Sequence, residues 1–195
     1  MKNIILKVYG VITVLLAADL LAYGFFRISL QGYYSDVALV WLWFLGSFTS
    51  IILFWKKILA KLLLGGIILG LVLSMLPMGM PFFAFILSTT PFGLWLKTDL
   101  NSEYRAQIVG YSVMTYPVLQ VIEKKGLIEK QIFQCDDHDL LNDNLEVKIR
   151  YAKDILFESE TDSTLTLTLF YGGPNKTLTF DKSSGKIIKK KVLFR

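Results

Sequence analysis

Charge is spread so unevenly along this chain that no single water-soluble fold can accommodate it. Of 195 residues, Met1 to Leu96 contains eight charged side chains and Lys97 to Arg195 contains 29. The eight are Lys2, Lys7, Asp19, Arg27, Asp36, Lys56, Lys57 and Lys61. Between them lie apolar runs of membrane-crossing length. Ile4 to Phe26 is interrupted only by Lys7 and Asp19. Val37 to Trp55 has 19 residues and no charge, and Leu62 to Leu96 has 35 and no charge. A helix needs about 20 apolar residues to cross a bilayer. The expected fold class is therefore a membrane α-helical bundle followed by a small, mainly antiparallel β domain. The boundary falls between residues 96 and 97. The single cysteine excludes a disulfide-built secreted scaffold.

Three spans are expected, about 4–26, 37–55 and 58–77, with 78–96 either interfacial or a short fourth span. Two spans within Leu62–Leu96 would each be at or below the minimal length, and would turn inside hydrocarbon at Pro77–Pro81. Three spans are therefore preferred. The lysines set the orientation: Lys2, Lys7, Lys56, Lys57 and Lys61 belong on the cytoplasmic side. The first run has no small-residue cleavage site, so it is expected to remain as an uncleaved helix. The expected location is the cytoplasmic membrane, as in a bacterial inner membrane, with the β domain outside.

Two features of the spans suggest packing roles. Asp19 lies about 12 Å of helix rise below Arg27, inside hydrocarbon if Arg27 is at the surface. The expected role is a hydrogen bond to Ser47, Thr49 or Ser50, with a relay or docking role as the alternative. Gly66, Gly70 and Ser74 recur every four residues, a spacing that lets helix backbones approach. The preferred reading is packing inside the bundle. Trp41, Trp43, Trp55, Trp95, Tyr33 and Tyr34 are expected as interfacial anchors.

In the second half, Leu145–Tyr151 and Thr164–Leu169 alternate with a period of two, the mark of half-buried strands. Thr164–Leu169, Lys176–Phe180 and Ile187–Phe194 form an expected meander joined by Gly172–Asn175 and Asp181–Gly185. Tyr104–Tyr111 is a further candidate strand. Pro117–Glu123 and Leu127–Phe133 are a candidate hairpin, and His138–Asn142 a candidate short helix. The sheet is expected to be solvated on one face.

Chemistry is sparse. Cys135, Asp136, His138 and Asp139 are the richest local set of metal-ligand types, but the spacing matches no calcium loop and no second Cys or His exists for a zinc site. No catalytic group and no cofactor is expected. Lys186, Lys189, Lys190, Lys191 and Arg195 could touch lipid or an acidic partner, but lysine on an edge strand more often blocks unwanted pairing. The half beyond Lys97 has a net charge of only +1, from 15 basic and 14 acidic residues. The chain's +5 thus belongs to the membrane half and gives no case for nucleic acid. Expected partners are membrane lipid and a protein or second copy. The first functional expectation is a membrane protein that positions a β domain for protein–protein interaction. The alternatives are a small transport or channel component using Asp19, and a membrane enzyme subunit acting on lipid or envelope substrates.

Overall fold

The computed structural model describes residues 2–76, 79–111, 115–140 and 148–194. It has three long apolar helices followed by two antiparallel β-sheets. The helices are α1 (Lys2–Phe26), α2 (Tyr33–Leu53) and α3 (Ile58–Met75), each long and apolar enough to cross a membrane. Their apolar side chains are largely exposed, Ile52 and Leu59 at 74% and 75%. Such surfaces match lipid, not water. Tyr9 of α1 packs over Gly46 of α2 and meets the Ser47 hydroxyl at 3.0 Å.

Among its described residues, the 78–96 stretch has no helix long enough to cross a membrane. Its described part holds a nine-residue helix α4 (Met80–Ser88), a 3-10 turn (Pro91–Gly93) and a strand β2 (Leu94–Asp99). Nine residues rise only about 13 Å. The end of α4 is tied to α2: the Tyr33 hydroxyl donates to the Thr90 carbonyl at 2.8 Å, and the Trp41 indole N–H donates to Thr89 O at 2.7 Å. These two residues, expected as interfacial anchors, are ties within the chain. Gly93 allows the chain to turn from α4 into β2, because a Cβ there would lie 2.1 Å from Leu87 O.

The remaining strands are β1 (Ile28–Leu30), β3 (Tyr104–Val109), β4 (Val118–Lys125), β5 (Ile128–Cys135), β6 (Asp154–Glu160), β7 (Thr164–Phe170), β8 (Pro174–Asp181) and β9 (Ile187–Phe194). One sheet has the order β1-β5-β4-β3-β2 and the other is the meander β6-β7-β8-β9. They pack face to face as a sandwich. Leu119, Val121 and Phe133 meet Leu165, Leu167, Leu178 and Phe180 in one core. Phe133 and Phe180 stack with ring centroids 4.3 Å apart. The meander and the β4–β5 hairpin lie where alternation and turn residues predict them, and Gly126 supplies the positive φ of the hairpin turn.

Three expectations are corrected. Ile149–Tyr151, the described end of the Leu145–Tyr151 run, is a 3-10 turn, and residues 145–147 lie outside the described ones. Three strands that the sequence did not offer, β1, β2 and β6, are present. The polar face of the first sheet is covered at β3, every residue of which is buried.

The reason is β1. The connection between α1 and α2 pairs with β5 in the register Ile28↔Lys130, Ser29↔Glu129 and Leu30↔Ile128. The Gln131 amide donates to Arg27 O at 2.9 Å, and the Gln31 amide to Leu127 O at 3.0 Å. The loop between two membrane helices is thus the edge strand of the sandwich. It brings the polar face of the first sheet down onto the helices. It also joins the two halves, because β2 itself runs across residues 96 and 97.

Candidate functional site

Between that polar face and the helices lies a cavity of about 680 Å³. Its lower walls are apolar, from Leu16 and Leu20 of α1, Val37, Val40 and Trp43 of α2, and Phe85 of α4. Its roof is polar, from Arg105 and Gln107 of β3, Gln120 of β4, and Glu129 and Gln131 of β5. Period-two alternation explains the roof. Arg105 and Gln107 occupy the positions between the core residues Tyr104, Ala106 and Ile108, so they point to the opposite face.

The roof is tightly bonded. The Arg105 guanidinium donates to Glu129 Oε2 at 2.6 Å, and both side chains are nearly fully buried. The Gln107 amide donates to Gln120 Oε1 at 3.0 Å, and the Gln120 amide to Gln131 Oε1 at 3.3 Å. The Tyr23 hydroxyl of α1 donates to the same Gln131 oxygen at 3.3 Å, linking helix to roof. Two roof atoms have no partner among the described residues, Arg105 Nε and Gln107 Oε1. Each belongs to a residue only 3% exposed. Burial also pushes the Tyr111 phenol well above its usual range, so this cavity residue remains a neutral hydrogen-bonding group.

The sides carry two carboxylates. Asp36 Oδ1 accepts from the Leu30 amide at 3.2 Å, and that amide also faces the Asp19 carboxylate. Neither acid has an ion-pair partner among the described residues. Asp19 is therefore not hydrogen-bonded to Ser47, Thr49 or Ser50. Ser47 bonds Tyr9 and Trp43 O, Thr49 bonds Leu45 O, and Ser50 Oγ has no partner. Asp19 instead lines the cavity with Asp36, Arg27 and Glu129.

The other sequence candidates lie elsewhere. A Cβ at Gly66 or Gly70 would meet nothing within 4 Å, so this face does not pack inside the described bundle, and Ser74 bonds Leu71 O of its own helix. Cys135 points into the sandwich core, where burial and the neighbouring Asp139 and Asp136 hold its thiol well above the usual range. Asp136 Oδ1 accepts from the amides of His138 and Asp139, starting the short helix α5 (Asp137–Leu140). His138 meets Tyr116 edge-on. Among the described residues no three His, Cys, Asp or Glu side chains converge on a metal position. Lys186, Lys189 and Lys191 are exposed around the edge strand β9, and Lys190 bonds Asp139 O. Arg195 lies outside the described residues.

Asp36, Arg105, Gln107, Gln120, Glu129 and Gln131 were missed by sequence reasoning. One signal was present: Arg105, Gln107 and Gln120 alternate with apolar residues at positions where a solvated strand more often shows Lys, Glu or Thr. No protein-family model, curated protein or solved structure matches the chain.

Proposed function

We propose that this chain is a multi-pass protein of the cytoplasmic membrane that holds its β-sandwich on the extracytoplasmic side and acts as a binding module for an amphiphile drawn from the bilayer. The carrying observation is the junction cavity, with apolar walls on the spans and a polar roof containing two buried atoms without partners. Small-molecule sites are typically clefts of roughly 300–1,000 Å³ with apolar walls and a few converging polar groups. Lysine distribution supports the orientation: Lys7, Lys56, Lys57 and Lys61 flank the helix ends opposite β1.

The transport reading rested on Asp19, which lines the same cavity together with Asp36. A protein partner is the second reading, and the observation behind it is strand β9 at the open edge of the second sheet. Its lysines disfavour casual strand addition and would suit an acidic partner.

Native mass spectrometry of the full chain in mild detergent tests the amphiphile reading. Co-purified lipid is expected on the unaltered protein and a large loss of it in Val40→Trp, which fills the apolar wall. Equal lipid occupancy in the two proteins would refute the reading. Protease attack on the sandwich from outside intact spheroplasts is the expected result for orientation, and cleavage only from the cytoplasmic side would overturn it.

A further inference from the structure

The charges around the cavity discriminate between kinds of amphiphile. Arg105 and Glu129 neutralise each other at 2.6 Å. The Arg27 guanidinium lies over the Tyr23 ring, 5.6 Å from its centroid. Asp19 and Asp36 face one another's neighbourhood across the Leu30 amide, with no cation of the described chain paired to either. Three carboxyl groups thus line the cavity with two guanidiniums. A purely anionic headgroup would add like charge to a poorly solvated site, where such repulsion is strong. An ammonium would relieve it.

The roof adds a second requirement. Arg105 Nε is a donor lacking an acceptor, and Gln107 Oε1 is an acceptor lacking a donor. They lie two residues apart on one face of β3, about 7 Å along the strand. A buried polar group without a partner is costly, so a ligand gains by satisfying either one. An acceptor at the polar end of a ligand would meet Arg105 Nε, and the apolar walls call for a tail.

We infer that the cavity binds an aminophospholipid-type headgroup, its primary ammonium between Asp19 and Asp36 and a phosphate oxygen accepting from Arg105 Nε. The tail runs along Leu16, Leu20 and Val37. This assignment rests on the amphiphile reading above and adds the headgroup chemistry.

The test uses the full chain, delipidated in detergent. Three short-chain probes are titrated, with Trp43 in the cavity wall as the fluorescent reporter. They are dihexanoyl phosphatidylethanolamine, its N-acetyl derivative, and dihexanoyl phosphatidylglycerol. The ethanolamine lipid should bind at least tenfold more tightly than either of the others. Asp36→Asn and Asp19→Asn should each remove most of that preference. The N-acetyl comparison needs no variant, so it decides the matter even if a substitution prevents folding. Equal affinity for all three probes, with Val40→Trp weakening all of them, would overturn the ammonium assignment and leave the amphiphile reading standing. Tighter binding of phosphatidylglycerol would also overturn the assignment. Failure of all three to bind would overturn both.

Discussion

Replacing Glu129 by Gln should destabilise the protein far more than removing a surface charge would. The carboxylate is 2.6 Å from the Arg105 guanidinium, and the two side chains are 3% and 4% exposed. That contact puts the charge centres about 4 Å apart, where two unit charges attract by about 4 kcal/mol at an effective dielectric near 20. Gln keeps an acceptor for Arg105 but leaves the guanidinium buried without a counter-charge. Breaking one side of a buried pair typically costs about 3–5 kcal/mol, whereas replacing both sides with apolar groups is often neutral. For a chain of this size about 1 kcal/mol moves the midpoint by roughly 2–4 °C, so Glu129→Gln should lower it by roughly 6–20 °C. Arg105→Met alone should cost a similar amount, and the double variant Arg105→Met/Glu129→Leu should recover most of the loss. The assay is thermal unfolding of the full chain in detergent, followed by near-ultraviolet circular dichroism, with the four proteins forming a double-mutant cycle. A coupling energy below about 1 kcal/mol would refute the reasoning, because it would mean that water in the cavity already screens the pair as it does on a surface.

Glycine contacts give an opposed pair of substitutions. Gly93→Ala should destabilise strongly, because its Cβ would sit 2.1 Å from Leu87 O, whereas Gly66→Ala should be neutral or slightly stabilising, with nothing within 4 Å; equal midpoints in thermal unfolding would refute the α4–β2 packing. At the β8–β9 turn, hydrogen bonds from Ser183 and Ser184 hold the Asp181 carboxyl down at about 2. Because its folded value lies below the unfolded value of about 3.9, the turn's stabilisation is complete above pH 4 and is lost as pH falls through 2. A carboxyl-carbon titration by NMR with its midpoint near 4 would contradict this. Cys135 is 2% exposed and its thiol is held protonated, so a maleimide should label the native protein at a small fraction of its rate on the unfolded chain. Comparable rates would place the thiol outside the core.

The sequence alone determined the features that depend on local period and composition. Runs without charge in the first half specify helices long and apolar enough to cross a membrane, because an unpaired charge in hydrocarbon is expensive whatever the tertiary arrangement. Strict alternation specified β7, and turn residues specified the β4–β5 hairpin and the meander. Alternation failed at Ile149–Tyr151, where a short run of mixed residues is equally compatible with a single 3-10 turn.

Tertiary structure alone decided the site. β1 is three residues long, too short for any period to register, and its partner β5 lies about 100 residues away. Alternation in Tyr104–Ile108 reveals that the two faces of β3 differ, but not that helices cover the polar one. For the same reason Asp36 looked like a loop charge and Asp19 like a solitary one. Only the pairing of β1 with β5 brings both acids beneath the Arg105–Glu129 roof, because a contact between distant segments depends on the whole packing and leaves no mark in either segment.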